Sequence, residues 1–198
     1  MTNTLLTRRR VLGTALAAAL PLRAVAHTQS AEDWVVPDEY LPREVRFRDP
    51  QEVGTIIVDP DYFELYWITA PQQGMLFTVG VGRGNLYESG RFTVGAKKEW
   101  PSWTPTKSMI ARDPDHYAKY ADGMPGGPNN PLGARALYLF DDGGNDTYLR
   151  IHGTPEPWTI ASAVSNGCVR LVNDHIIQLY EAVEVGAPVV LLPKVGQA

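Results

Sequence analysis

Thr55-Ile56-Ile57-Val58-Asp59-Pro60-Asp61-Tyr62-Phe63-Glu64-Leu65-Tyr66-Trp67-Ile68-Thr69-Ala70-Pro71-Gln72-Gln73-Gly74-Met75-Leu76-Phe77-Thr78-Val79-Gly80-Val81 is the stretch that decides the fold class. Three short runs rich in β-branched and aromatic residues, at 55–58, 63–69 and 75–81, are divided by Asp59-Pro60-Asp61 and Pro71-Gln72-Gln73-Gly74. Such runs suit a pleated, half-buried surface, and the breaks carry the residues that turns favour. Three strands joined by turns are expected. Similar runs at 90–95, 136–140, 148–152 and 188–192 extend the series and predict a mainly β domain. One clear helix is expected at about 173–183, where Ile176, Ile177, Leu179, Tyr180 and Val183 form an apolar face and Asn173 or Asp174 offers a cap.

Upstream of this series, residues 27–54 are rich in Pro, Glu, Asp and Arg without sustained periodicity, and read as an extended leader packed over the domain. The first 26 residues differ again. Thr7-Arg8-Arg9-Arg10-Val11-Leu12 opens an apolar run to Leu20, followed by Pro21 and by Ala24-Val25-Ala26. A charged start, a short apolar middle and an A-x-A end are the parts of an export signal, and the paired arginines fit the twin-arginine pattern. The apolar run is too short to span a bilayer. The expectation is a signal peptide at 1–26 and a protein delivered to the periplasm or its equivalent, with no transmembrane segment after the cut.

Of 198 residues, 44% are hydrophobic and 20% charged, which fits an ordinary globular domain. Loss of the four arginines at 1–26 leaves 14 basic against 22 acidic side chains, a net charge of −8. No basic stripe interleaved with aromatics appears, so nucleic acid is not an expected partner. His27, His116 and His175 show no metal spacing with one another or with the single cysteine, and neither metal nor cofactor is expected. His116 and His175 read as solvated surface.

A lone cysteine in an exported chain has no partner for a disulfide, so Cys168 is buried, bonded to another molecule, or used chemically. Its neighbours favour use. His152 closes a predicted strand as Ile151-His152-Gly153-Thr154, and sixteen residues later comes Ser165-Asn166-Gly167-Cys168-Val169-Arg170-Leu171. An imidazole titrating near neutrality is the usual base for a thiol. Gly167 permits close backbone approach, so amides of Asn166, Gly167 and Cys168 are candidates to stabilise an oxyanion. Residues alone thus suggest acyl transfer.

These residues resemble the L,D-transpeptidases with the YkuD-type catalytic domain, whose hallmark is a histidine followed about sixteen residues later by S-x-G-C, then Val or Ile, then Arg or Asn. The irregular stretch 100–132 is similar to that family's lid, through Trp100-Pro101-Ser102-Trp103-Thr104-Pro105-Thr106 and Gly126-Gly127-Pro128-Asn129-Asn130-Pro131-Leu132-Gly133. The similarity spans most of 55–192. Asn166 is a departure, since many members carry a second histidine there. The resemblance implies an L,D-transpeptidase-like β-sandwich or barrel over 55–193, with one or two packed helices and a lid loop.

It further implies that Cys168 attacks the third residue of a peptidoglycan stem tetrapeptide and expels D-alanine, with His152 as base and the Gly153 carbonyl orienting the imidazole. Ser165 would orient the loop. Arg170 would bind a substrate carboxylate or hold the fold, and Trp158 would wall the donor groove or simply pack. The acyl acceptor stays open between a second stem peptide, an envelope protein, and water, the last making the enzyme an L,D-carboxypeptidase. A noncatalytic wall-binding module on this fold is the remaining alternative. A papain-like peptidase is disfavoured because its cysteine precedes its histidine.

Overall fold

The computed structural model describes residues 34–195. The expected export signal at 1–26, the first residues of the leader and His27 lie outside the described residues. The leader contributes β1 (Arg43–Arg46), an edge strand whose arginines and glutamate are exposed and only Val45 is half-buried. Charged edges of this kind resist pairing with a second chain. β2 (Ile56–Asp59), β3 (Glu64–Ala70) and β4 (Gln73–Thr78) form the expected meander, with Ile56 opposite Trp67 and Leu65 opposite Phe77.

β5 (Val81–Gly82), β6 (Gly90–Glu99), β7 (Arg135–Phe140), β8 (Asp146–His152), β9 (Ala163–Ser165), β10 (Val169–Arg170) and β11 (Pro188–Leu191) complete the strands. Nine make one sheet in the order β1-β4-β3-β2-β11-β6-β7-β8-β10, and β5 with β9 makes a second, two-stranded sheet. Gly80 exchanges two backbone hydrogen bonds with Arg170, at 2.9 and 2.8 Å. Since Gly80 lies just past β4 and Arg170 is in the last strand of the order, this bridge stitches the far end of the sheet back towards its beginning. The single run expected at 75–81 is divided into β4 and β5 for this reason, its middle being committed to Arg170.

Ile56, Leu65, Phe77, Leu137, Ile151 and Val169 belong to one continuous core. α3 (Asn173–Ala182) lies against β7 and β8 and adds Ile176 and Leu179, both fully buried. Each such side chain contributes roughly 1.5–3 kcal/mol relative to exposure. Val172, not Asn173 or Asp174, stands at the cap position, and its side chain makes no capping hydrogen bond among the described residues. Asn173 Oδ1 instead accepts from the Ala134 amide at 2.9 Å, tying the helix start to the end of the lid. His175 corrects the expectation of solvated surface. It is buried in the α3 first turn at 6% exposure, its ring 6.3 Å from that of Phe77, and its Nδ1 has no hydrogen-bond partner among the described residues. His116 is exposed as expected.

The stretch 100–132 holds two short helices that the sequence did not suggest, α1 (Lys107–Arg112) and α2 (Pro114–Tyr117). Thr106 and Asp113 cap them, accepting from Met109 and His116 amides at 3.2 Å each. Trp103 packs between Tyr117 and Tyr120, with ring centroids 6.2 and 5.9 Å away. The buried Asn130 side chain donates to the carbonyls of Met124 and Pro125 and accepts from the Leu132 amide, which fixes the Gly-Pro-Asn turn.

Candidate active site

Strand register places His152 and Cys168 on neighbouring segments of the sheet edge. β10 runs parallel to β8, with Val169 beside Ile151 and Arg170 beside His152. Successive strand residues point to opposite faces. Ile151 and Val169 point into the core, fully or almost fully buried, so Arg150, His152 and Arg170 share the other face. Cys168, one residue before β10, lies level with Arg150, and its Sγ is 3.9 Å from the Tyr148 carbonyl of β8.

The cysteine loop is held from both sides. β9 enters it, paired with β5, and β10 leaves it, paired with β8 and with Gly80. Ser165 is 1% exposed, and its Oγ donates to the Cys168 carbonyl at 2.6 Å while accepting from the Gly167 amide at 3.2 Å. The Arg83 amide donates to the Ser165 carbonyl at 3.0 Å. Gly167 adopts φ +124°, and a Cβ there would stand 2.9 Å from the Leu86 carbonyl oxygen, so glycine is required. Of the three amides expected to face an oxyanion, that of Gly167 is committed to Ser165. Those of Asn166 and Cys168 have no acceptor among the described residues.

His152 is 3% exposed, and its Nδ1 lies 2.5 Å from the Gly153 carbonyl oxygen. A carbonyl only accepts, so Nδ1 carries the proton in the neutral ring and Nε2 keeps its lone pair. Burial and then the Arg170 guanidinium push the imidazole down to about 3; the Gly153 bond opposes the shift and the Arg150 charge adds to it. The ring is neutral at physiological pH. Cys168 is partly exposed, yet the burial of its sulfur pushes the thiol up, opposed by the Arg150 amide and the Arg150 and Arg170 charges and reinforced by Glu88. At rest the pair is thiol and neutral imidazole, and not the preformed thiolate that a depressed thiol pKa would give.

Gly153 is held by more than its bond to His152. Its amide donates to the Arg135 carbonyl at 3.0 Å, and a Cβ there would overlap Asn173 Oδ1. Arg170 is ion-paired with Glu156 at 3.5 Å, while its buried Nε has no hydrogen-bond partner among the described residues. Trp158 sits at 40% exposure in a 3-10 turn, Pro157–Thr159, on the loop that supplies Glu156.

Asn166 faces the lid. Its Nδ2 donates to the Tyr117 hydroxyl at 2.7 Å, and its Oδ1 accepts from Arg112 at 2.7 Å and from Arg83 at 3.4 Å. Sequence reasoning missed Arg83, Arg112 and Tyr117, which lie 49–83 residues away from Asn166 along the chain. It also missed Arg150, bound through both nitrogens to Asp146 at 2.7 and 2.8 Å and stacked 3.9 Å over the Tyr138 ring. Strand alternation could have found it, since Arg150 and His152 are two apart on β8.

The L,D-transpeptidase catalytic domain model, YkuD, matches residues 54–191. An L,D-transpeptidase named from the ATP synthase subunits region of Fuscovulum blasticum is 33% identical over 96% of this chain and 98% of its own. A Brucella melitensis protein described as a "probable carnitine operon oxidoreductase caia" is 45% identical over 82% of this chain and 99% of its own, with a TM-score of 0.55. L,D-transpeptidase 3 of Mycobacterium tuberculosis shares the fold at 16% identity and a TM-score of 0.52, over 70% of this chain and 60% of its own. The chain spans about half the length of the Escherichia coli relatives it matches, 48% and 47%. With the family model covering most of its length and a relative matched almost end to end, this chain belongs to the L,D-transpeptidase family with the YkuD catalytic domain.

Proposed function

We propose that the protein is an exported transpeptidase that forms a thioester between Cys168 and a peptidoglycan stem peptide and passes the acyl group to an amine. The observation that carries this reading is the placement of Cys168 immediately before β10 and of His152 on the adjoining β8, with the imidazole held by the Gly153 carbonyl so that Nε2 can take a proton. Sγ adds to the carbonyl carbon of the third stem residue as the thiol proton passes to Nε2. The Cys168 and Asn166 amides stabilise the oxyanion. Collapse breaks the bond to D-alanine, whose amine takes the proton from His152. An incoming amine, from a second stem or an envelope protein, then attacks the thioester and returns a proton through His152 to the sulfur.

Ser165 and Gly167 act here by shaping the loop. Arg170, already paired with Glu156, serves by holding the 153–160 loop and by keeping the imidazole neutral, and Trp158 borders the donor groove on that loop. Export by the twin-arginine route rests on residues 1–26, and delivery places the domain beside its substrate.

The test is mass spectrometry of the protein after incubation with a disaccharide-tetrapeptide, with and without an amine acceptor, beside Cys168→Ala. An acyl adduct on Cys168 with amine-linked product in wild type alone supports transpeptidation. Release of D-alanine without linkage makes the protein a hydrolase, and absence of any adduct leaves a binding module.

A further inference from the structure

The arginines around the cysteine loop divide into two kinds. Arg150 has Asp146, Arg170 has Glu156 and Arg135 has Glu99. Arg83 and Arg112 form no ion pair with any carboxylate among the described residues, although both are exposed and close to one another. They come from separate segments, the turn after β5 and the last residue of α1, and converge on one neutral atom, Asn166 Oδ1.

That convergence is electrostatically incomplete. Each guanidinium has five N–H donors in a planar fork that matches a carboxylate through two bonds. A single amide oxygen satisfies one donor from each and cancels no charge. Two like charges held at one point are stabilised by an anion that both can reach. The residue between them is two before Cys168, so the pair is anchored on the same loop as the nucleophile. Glu88 is the acidic group whose charge reaches Cys168, and it leaves Arg83 and Arg112 unpaired.

We propose that Arg83 and Arg112 form a carboxylate site, organised by Asn166, that holds the free C-terminal carboxylate of the donor peptide beside the bond Cys168 attacks. The proposal rests on the reading of the protein as a transpeptidase and names how its donor is chosen. A carboxylate on the leaving residue lies next to the scissile amide and carries the charge this site lacks. Because one arginine stands on the lid and the other on the body of the domain, the bound carboxylate also fastens the lid over the donor. Donors with an amidated or extended C-terminus lose this contact.

The test uses the full chain carrying Cys168→Ala, so that binding is read without chemistry, titrated by calorimetry with an acetylated stem tetrapeptide and with its C-terminal amide. The acid binds about tenfold more tightly than the amide, the ratio expected for one charge-assisted pair. With Arg83→Gln and Arg112→Gln added, acid and amide bind within twofold of each other, while Arg83→Lys with Arg112→Lys keeps most of the preference. Equal binding of acid and amide to the arginine-bearing protein, or a preference that survives both glutamines, overturns the proposal. Acid preference in a protein whose wild type forms no acyl adduct would sink the transpeptidase reading and leave the carboxylate site standing.

Discussion

Asn166 donates from its side-chain nitrogen to the Tyr117 hydroxyl at 2.7 Å, joining the residue two before Cys168 to the second lid helix. This bond and the one from Arg112 hold the lid helices to the cysteine loop, since α1 and α2 are only six and four residues long. Helices of that length are unstable in isolation. Tyr117→Phe keeps the ring against Trp103 and removes the acceptor. Hydrogen exchange at 103–124 is expected to accelerate roughly five-fold, the worth of a bond of about 1 kcal/mol. KM for the donor rises while kcat stays within about twofold, because the Cys168 loop keeps its Ser165 bonds. Unchanged exchange would mean that the lid is held by its aromatic packing alone.

The resting state of Cys168 has a direct chemical consequence. Burial pushes the thiol up despite the two nearby guanidiniums, so little thiolate exists at neutral pH. Alkylation by iodoacetamide is expected to be slower at pH 7 than for a free cysteine, and to reach its half-maximal rate at a higher pH than a free cysteine does. Donor acylation, in which His152 takes the proton during attack, does not follow that profile and proceeds at neutral pH. Fast alkylation at mildly acidic pH would show a thiolate–imidazolium pair and overturn the neutral one.

Much of the fold was legible because its signals are local. β2, β3 and β4 are β-branched and aromatic runs divided by Asp-Pro and Pro-Gln-Gln-Gly breaks, and α3 shows its apolar face directly. β1 was not legible, because Arg43-Glu44-Val45-Arg46 has a single apolar residue and is a strand only through its pairing with β4. β10 is two residues long and exists through Ile151 and His152 beside it. His175 was misread although it lies four residues before Leu179, a spacing that places both on the buried face of α3. Within the candidate site, the spacing of His152 and Cys168 singled them out in the sequence, and β8 and β10 carry their segments side by side. Arg83 and Arg112 carry no local pattern and become neighbours only when the lid folds onto the loop.

Two buried histidines make stability depend on pH in a definite direction. Burial lowers both His152, to about 3, and His175 in the folded protein. The unfolded chain therefore binds protons that the folded one refuses once the pH falls below about 6.5. Their contribution is fully present above that value and is lost as pH falls from about 6.5 towards the folded values, by up to about 1.4 kcal/mol per pH unit for each histidine. Urea unfolding at pH 7 and pH 5 is expected to show lower stability at pH 5, in a window above the range where most carboxylates titrate. His175→Phe reduces that slope. A flat profile between pH 7 and 5 would mean that these rings are accessible to protons in the folded state.

The last prediction concerns the junction that aims His152. Gly133, Gly153 and Asn173 meet there, and Asn173 Oδ1 occupies the space a Cβ on either glycine would need. Gly153→Ala is expected to destabilise by about 3 kcal/mol through overpacking, and to lower activity further by shifting the carbonyl that holds the His152 ring. Asn173→Ala removes the acceptor of the Ala134 amide and costs about 1–2 kcal/mol. The double variant should be less destabilised than the sum of the two, by about 1 kcal/mol or more, because shortening Asn173 opens the space the alanine needs. Relief is incomplete, since Ile176 Cγ2 and the Ala134 amide remain at 3.0 and 3.1 Å from that Cβ. Unfolding free energies for wild type and the three variants decide it. Strict additivity would mean that Gly153 and Asn173 act independently, and that the close approach is not what places the imidazole.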